Sequence, residues 1–438
     1  MLSAFRRVTR CASVLALVVS GTATGAETPS SWVSSHMESL VELYQQLHAN
    51  PELSFHEEET SARVAAEFKE MGASVTTDVG GFGVVGVIRN GEGPVLMLRA
   101  DLDALPITEE TNLVFASKRR AKNSDGTEVG VMHACGHDLH MTNLIGTGRY
   151  LASHLDQWQG TLILVGQPAE ERGAGAQAML KDGLFTRFAK PDYAIALHVD
   201  PQVASGQVAL KSGYALANVD SVDVTLFGKG GHGALPHTTI DPIVQAAQFV
   251  LAVQTIVSRE IKPLEPAVIT VGSIRSGTKH NIISDRCQMQ LTVRSYSDEV
   301  RTKLLDGIRL KAKAVAMGAG APEPEVVISE GTPAVFNSEE LAQRITEVFR
   351  RVLGDENVKQ GEPAMAGEDF SRYGRVGVPI LMYRLGTTDA RQLSRYNQLG
   401  QPPPPLHCPT YFPDVEKSLT TGIVTMTHAA MTLLKPAQ

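Results

Sequence analysis

Ten residues, Val131-Met132-His133-Ala134-Cys135-Gly136-His137-Asp138-Leu139-His140, bring a thiol, three imidazoles and a carboxylate into one short stretch. Cys135 and His137 are separated by a single glycine, so both side chains can leave one turn toward one ion. Thiolate plus imidazole is a donor pair suited to zinc or a similar borderline metal. His133 and His140 fit either of two roles, as partners that orient a ligand or as ordinary residues of the helix that follows.

Other potential ligands end apolar runs. Pro94 to Leu98 runs into Arg99-Ala100-Asp101-Leu102-Asp103, Thr161 to Val165 into Gln167-Pro168-Ala169-Glu170-Glu171-Arg172, and Tyr193 to Leu197 into His198-Val199-Asp200. Each run is short and bulky enough for a buried strand. In an open α/β sheet, the edge past the strands' carboxyl ends is where ligands bind. Three such endings beside Cys135 and His137 predict one site assembled along one sheet edge.

These elements imply a discontinuous domain. Ser39 to Met71 reads as helix interrupted near Asn50-Pro51. Val84 to Ile88 and Pro94 to Leu98 are strands with Asn90-Gly91 as a hairpin-type turn between them. From about Gly213 the order becomes strand 221–226, helix 242–259, strand 267–274, strand 288–295, helix 298–316 and strand 325–328. That βαββαβ order is the ferredoxin-like split unit. The α/β pattern then resumes with helix 338–353 and strand 379–383, and the 401–405 proline loop leads to His407. The expected architecture is therefore an α/β catalytic domain, 32–212 plus 327–438, with mixed sheet and flanking helices, carrying an inserted domain at 213–326.

The chain has 438 residues, 43% hydrophobic and 20% charged, which fits a globular enzyme of two domains. Arg6, Arg7 and Arg10 precede an apolar run, Ala12 to Val19, and small residues up to Ala26, so 1–26 reads as an export signal and the protein as periplasmic or secreted. That run is too short to span a bilayer. Loss of the signal takes the formal charge from −7 to −10, which argues against nucleic acid as a partner. Of the cysteines that remain, Cys287 and Cys408 are expected as two buried thiols in preference to a disulfide.

Seven motifs together resemble the zinc peptidase family of aminoacylases and carboxypeptidases, above all its amidohydrolase branch with hippurate hydrolase and the hydrolases of indole-acetyl-amino acids. They are Arg99-Ala-Asp-Leu-Asp103-Ala-Leu-Pro, His133-Ala-Cys-Gly-His-Asp138, Pro168-Ala-Glu-Glu171, Ala196-Leu-His198, Gly230-Gly-His232-Gly-Ala-Leu-Pro-His237, Ala366-Gly-Glu-Asp369-Phe and Pro405-Leu-His407. The resemblance covers nearly all the chain after the signal. It implies Cys135, His137, Glu171, His198 and His407 as metal ligands and Glu170 as general base. Asp101 stands where peptidase members carry a histidine ligand, and Asp103 two residues on would orient a ligand. One or two divalent ions are implied, zinc first and manganese second.

His232, in a glycine-rich turn of the inserted domain, could donate to the developing oxyanion. Asn281 and Arg294 are candidates to hold a substrate carboxylate, Arg294 through a bidentate fork. The inserted domain would act as lid and as the contact of a homodimer. The expected activity is hydrolysis of the amide of an N-acyl amino acid. A carboxypeptidase or dipeptidase with the same machinery is the alternative, and a non-catalytic metal-binding protein is the reading from another class.

Overall fold

The computed structural model describes residues 27–123 and 125–435. The export signal expected at 1–26 lies outside the described residues. No helix among the described residues is long and apolar enough to cross a membrane.

An eight-stranded mixed sheet carries the site. Its order is Ser74–Thr76, Val84–Asn90, Gly160–Gln167, Val95–Asp101, Tyr193–Ala204, Ile380–Thr388, Val208–Leu210 and Val358–Gln360. Successive strand residues point to opposite faces, and both faces here are apolar. Leu96, Leu98, Leu162, Leu164, Ile195 and Leu197 pack beneath the helices Pro29–Ala49, His137–Ser153 and Val415–Leu433. Met97, Ile163, Val165, Ala194 and Ala196 face Phe370, Tyr373 and Met179 on the other side. A strand covered on both faces reads as a continuous apolar run, which is why these three were legible without alternation.

Two expectations need correction. The strands on either side of Asn90-Gly91 do not form a hairpin. Gly160–Gln167 lies between them, antiparallel to Val84–Asn90 and parallel to Val95–Asp101. The connection passes over the start of that middle strand by a close backbone crossing, in which a Cβ on Gly160 would lie 2.3 Å from the Pro94 carbonyl oxygen. The first helix also starts ten residues earlier than expected, at Pro29. Thr28 caps it reciprocally with Ser31, and proline sits at the position where its missing N–H costs nothing.

The inserted segment forms a separate four-stranded antiparallel sheet, in the order Ala267–Ser276, Arg286–Ser295, Asn218–Phe227, Glu325–Glu330. With helices Pro242–Thr255 and Asp298–Gly318 between the strands, the βαββαβ order is that read from sequence. One face buries Val222, Val224, Leu226, Met289, Leu291 and Val293 against Phe249, Val253, Leu304 and Ile308. The first helix widens into a π-turn over Ile256–Glu260. Chain entry and exit pair as Gly213–Leu216 with Val335–Asn337. Cys287 is buried and free as expected. Cys408 is also free but partly exposed, because it lies on the loop that presents His407.

Candidate metal-hydrolase site

The strands Val95–Asp101, Gly160–Gln167 and Tyr193–Ala204 run parallel, so their carboxyl ends deliver Asp101, Glu170 and His198 to one edge. Left-handed turns then set the directions. Gly136, at φ 75°, precedes His137, where an added Cβ would meet Val199 at 2.7 Å. Ala169 (φ 51°) precedes Glu170, and His407 itself has φ 62°. Non-glycine residues seldom adopt this conformation, and hydrogen bonds hold both. The Ala169 N–H donates to Glu57 Oε1 at 2.8 Å, and the His407 N–H donates to the Ala134 carbonyl at 2.9 Å. The second bond ties the distant His407 loop directly to the Cys135 turn.

Five donor atoms converge. Cys135 Sγ lies 3.3 Å from His407 Nε2 and 3.6 Å from His198 Nε2. Glu171 Oε1 is 3.5 Å from His407 Nε2 and 3.8 Å from His137 Nε2. Ligands at 2.0–2.3 Å around a tetrahedral ion are separated by about 3.3–3.8 Å, so these gaps match the edges of a coordination shell. His137 Nε2 and Glu171 Oε1 are buried without a hydrogen-bond partner, which a buried polar atom rarely tolerates. His137 Nδ1 donates to the Asp103 carbonyl (2.8 Å) and His198 Nδ1 to the Val199 carbonyl (2.9 Å), so both Nε2 lone pairs point into the cluster. Two triads of these donors share the Cys135 sulfur, one with His137 and His198, the other with Glu171 and His407, and a further group joins His137 to Glu170 and Glu171.

The orienting residues are also in place. Asp103 accepts from Ser54 Oγ (2.6 Å) and the Glu171 N–H (3.0 Å), and its Oδ1 is 3.3 Å from His137 Nδ1. His140 donates from Nδ1 to Asp101 (2.7 Å) and accepts the Val199 N–H at Nε2 (3.0 Å), so it braces the His198 strand and is no ligand. Asp101, the remaining ligand candidate, has Oδ1 facing His140 at 2.7 Å, while its Oδ2 accepts from Arg99 at 2.8 Å and lies 3.6 Å from His137 Nε2. His133 is buried with both nitrogens unpartnered, and burial pulls its pKa down to about 4.

Electrostatics divides the two glutamates. Burial first, then Glu368 and Glu171, holds Glu170 well above the usual carboxylate range. Glu171 is pushed up to about 7 by burial, against the pull of His137. Burial and the same glutamates push the Cys135 thiol up, a balance that a bound cation reverses. A metal-bound thiolate is shielded. Holo-protein should therefore resist alkylation at Cys135 while chelated protein reacts, as read by mass spectrometry of labelled peptides. Equal labelling in both would remove Cys135 from the site.

Two groups were invisible in the sequence. Arg99, fully buried, meets Asp101, Glu368 (3.0 Å) and Asp369 (3.2 Å), using the Ala366-Gly-Glu-Asp369-Phe motif whose role the sequence left unassigned. His48, in the last turn of the first helix, bridges Asp138 (2.7 Å) and Glu109 (3.0 Å) beneath the Cys135 turn. Burial lowers its pKa, but the two carboxylates outweigh this and raise it to about 9. Its stabilisation is therefore complete below the ordinary 6.5 and is lost as pH climbs through about 9. His48→Gln should cost about 3 kcal/mol more at pH 6 than at pH 10, measured from urea midpoints. An equal cost at both would mean a neutral His48.

The cluster opens into a cleft of about 670 Å³, whose walls include Cys135, Glu170, Glu171, His198, His407 and Arg294. Arg294 is thus where a carboxylate clamp was expected, its Nε and Nη1 braced on Thr292 Oγ1 and the Met365 carbonyl. His232 and Asn281 are not in that wall of their own subunit. Gly231–His232 pairs with Ile282–Ile283 in an exposed two-stranded ribbon of the inserted module. There Asn281 offers its carbonyl to the Gly233 N–H at 2.9 Å and the His232 Nδ1 accepts the Ala234 N–H at 3.0 Å.

Residues 97–397 match the model of peptidase family M20/M25/M40. The N-acetyl-L-cysteine deacetylase of Bacillus subtilis is 38% identical over 335 residues, 76% of this chain and 77% of that one. The hippurate hydrolase of Campylobacter jejuni is 38% identical over 329 residues, covering 74% and 82%. The structure of B. subtilis YXEP, a dinuclear metal binding peptidase of the M20 family, superposes with a TM-score of 0.75 at 29% identity, covering 92% of this chain and 99% of that one. The chain belongs to peptidase family M20/M25/M40. It is an amide-bond hydrolase, as the resemblance implied.

Proposed function

We propose that this protein hydrolyses the amide of N-acyl amino acids with divalent metal that Cys135, His137, His198, Glu171 and His407 would hold. The observation that carries this is the pair of donor triads meeting at the Cys135 sulfur, with Glu170 beside them and reaching His137 at 3.9 Å. The deacetylase and hippurate hydrolase relatives, and the dinuclear YXEP neighbour, support it. His137 and His198 would hold one ion and Glu171 and His407 the other; the sulfur and nitrogen donors favour zinc, and the Glu171 carboxylate keeps manganese as the second choice. When bound, a divalent metal supplies Lewis acidity, polarising the amide carbonyl and acidifying water. Glu170 takes the proton of the attacking water and delivers it to the leaving amine. Its elevated pKa suits a group that must both accept and return a proton. Arg294 clamps the substrate carboxylate from the inserted module. The test is turnover of N-acetyl, N-benzoyl and dipeptide substrates by metal-reconstituted protein. Preferential cleavage of dipeptides would favour the carboxypeptidase reading, and no cleavage across the panel a binding protein.

The inserted module also exposes apolar side chains on its first helix, Val244 (54% exposed) and Leu251 (73%), beside the free edge strand Ala267–Ser276. We assign this face to a homodimer, in which the His232 ribbon reaches the partner's cleft and donates to the oxyanion there. Light scattering that returns a single-chain mass, about 47.0 kDa for the full sequence, would count against it. We also propose, from the three arginines and the apolar run before Ala26, that the mature enzyme works outside the cytoplasm, and an exported product that begins near Glu27 is the check.

A further inference from the structure

Arg384 stands in the wall of the catalytic cleft with nothing to do. It lies on the strand Ile380–Thr388, directly opposite His198 in the parallel ladder, so both side chains leave the same face of the sheet. Arg384 lines the cleft with Cys135, His198 and His407, yet its side chain has no hydrogen bond or ion pair among the described residues. Among its neighbours, Arg99 sits among three carboxylates and Arg294 is braced on Thr292 and Met365, while the third arginine of the cleft wall, Arg172, is exposed to solvent. A partly buried guanidinium with five unspent donors is costly unless a ligand satisfies it.

We propose that Arg384 is a second anion clamp, and that the preferred substrate is an N-acyl amino acid bearing a second carboxylate. This rests on the N-acyl amino acid reading above. Arg294 reaches the cleft from the inserted module, whereas Arg384 rises from the catalytic sheet beside His198. Besides the exposed Arg172, two part-buried arginines on separate modules thus line one cleft of about 670 Å³. One substrate carboxylate satisfies one fork. The second acid can come from a dicarboxylic acyl group or from an acidic amino-acid side chain, with the same chemistry at Arg384.

Matched pairs separate the sources: N-acetylglutamate against N-acetylglutamine, and N-succinylglycine against its terminal amide. Each pair is compared by kcat/KM in the wild-type holoenzyme and by calorimetric Kd in metal-loaded Glu170→Gln. At least one acid should be preferred over its amide by roughly 10- to 100-fold, the range for a hydrogen bond to a charged group. The pair that shows it names the source. Arg384→Gln should collapse the ratio and Arg384→Lys should restore part of it. No acid preference in either pair, or a preference that survives Arg384→Gln, overturns the proposal, and the wild-type ratios decide even if the variant fails to fold. Hydrolysis of N-acetylglycine without any acid preference would sink this inference alone. Arg384-dependent binding with no hydrolysis of any substrate would sink the hydrolase reading alone.

Discussion

Glu170→Gln should keep its metal and lose roughly 10²–10⁴-fold in kcat, the range for removing a general base. The expectation follows from position. Glu170 Oε2 is 3.9 Å from His137 Nε2, on the side of Asp101 and Glu368, whereas Glu171 Oε1 lies between His137 and His407 and belongs to a triad containing Cys135. Glutamine is nearly isosteric and keeps a carbonyl oxygen, but it cannot take a proton at neutral pH. Glu171→Ala should do the opposite first, lowering metal content in elemental analysis, with activity falling as a consequence. If Glu170→Gln loses metal as readily as Glu171→Ala, the two adjacent glutamates have exchanged roles.

What could be read from sequence was whatever depends on local pattern. Buried strands that end in acids or histidine, and the βαββαβ order, are statements about periodicity and neighbours in the chain, and they placed Asp101, Glu170 and His198 on one edge correctly. Pairing is not local. Asn90-Gly91 has hairpin chemistry, but a strand some seventy residues further on enters between its flanking strands, and nothing in the turn encodes that. The same limit hid the charge partners. His48 and Asp138 are 90 residues apart, and Arg99 and Asp369 are 270 apart, so neither pair has a spacing to recognise. His232 and Asn281 show the converse. Their motif was legible, and the structure does bring them together, but on a ribbon away from the cleft of their own subunit.

Arg99→Met should be the most destabilising single change in the catalytic module. Arg99 is at the centre of the sheet with its side chain sealed from solvent, donating Nη1 to Asp101, Nη2 to Glu368 and Asp369, and Nε to Gln167. A methionine of similar length fills the space and abandons three buried carboxylates. Removing one partner of a buried ion pair typically costs 3–5 kcal/mol, because the uncompensated charge stays behind. Part of that strain is visible with the arginine present. Burial already holds Asp369 up to about 7, with Arg99 pulling against it. Asp101 stays well below its usual range because His137, His140 and Arg99 outweigh burial. Without the guanidinium these groups lose their attraction and can shed charge only by taking up protons. An acid whose folded pKa is raised favours the folded state below its unfolded pKa, and loses that advantage as pH rises through the folded value. The loss caused by Arg99→Met, measured from urea midpoints, should therefore shrink from pH 8 toward pH 5. Arg99→Lys should fall between wild type and Arg99→Met, since it restores a charge but not the fork that reaches three carboxylates at once. A loss that is independent of pH, or a lysine no better than methionine, would mean that packing around Arg99, and not its charge, holds this part of the sheet together.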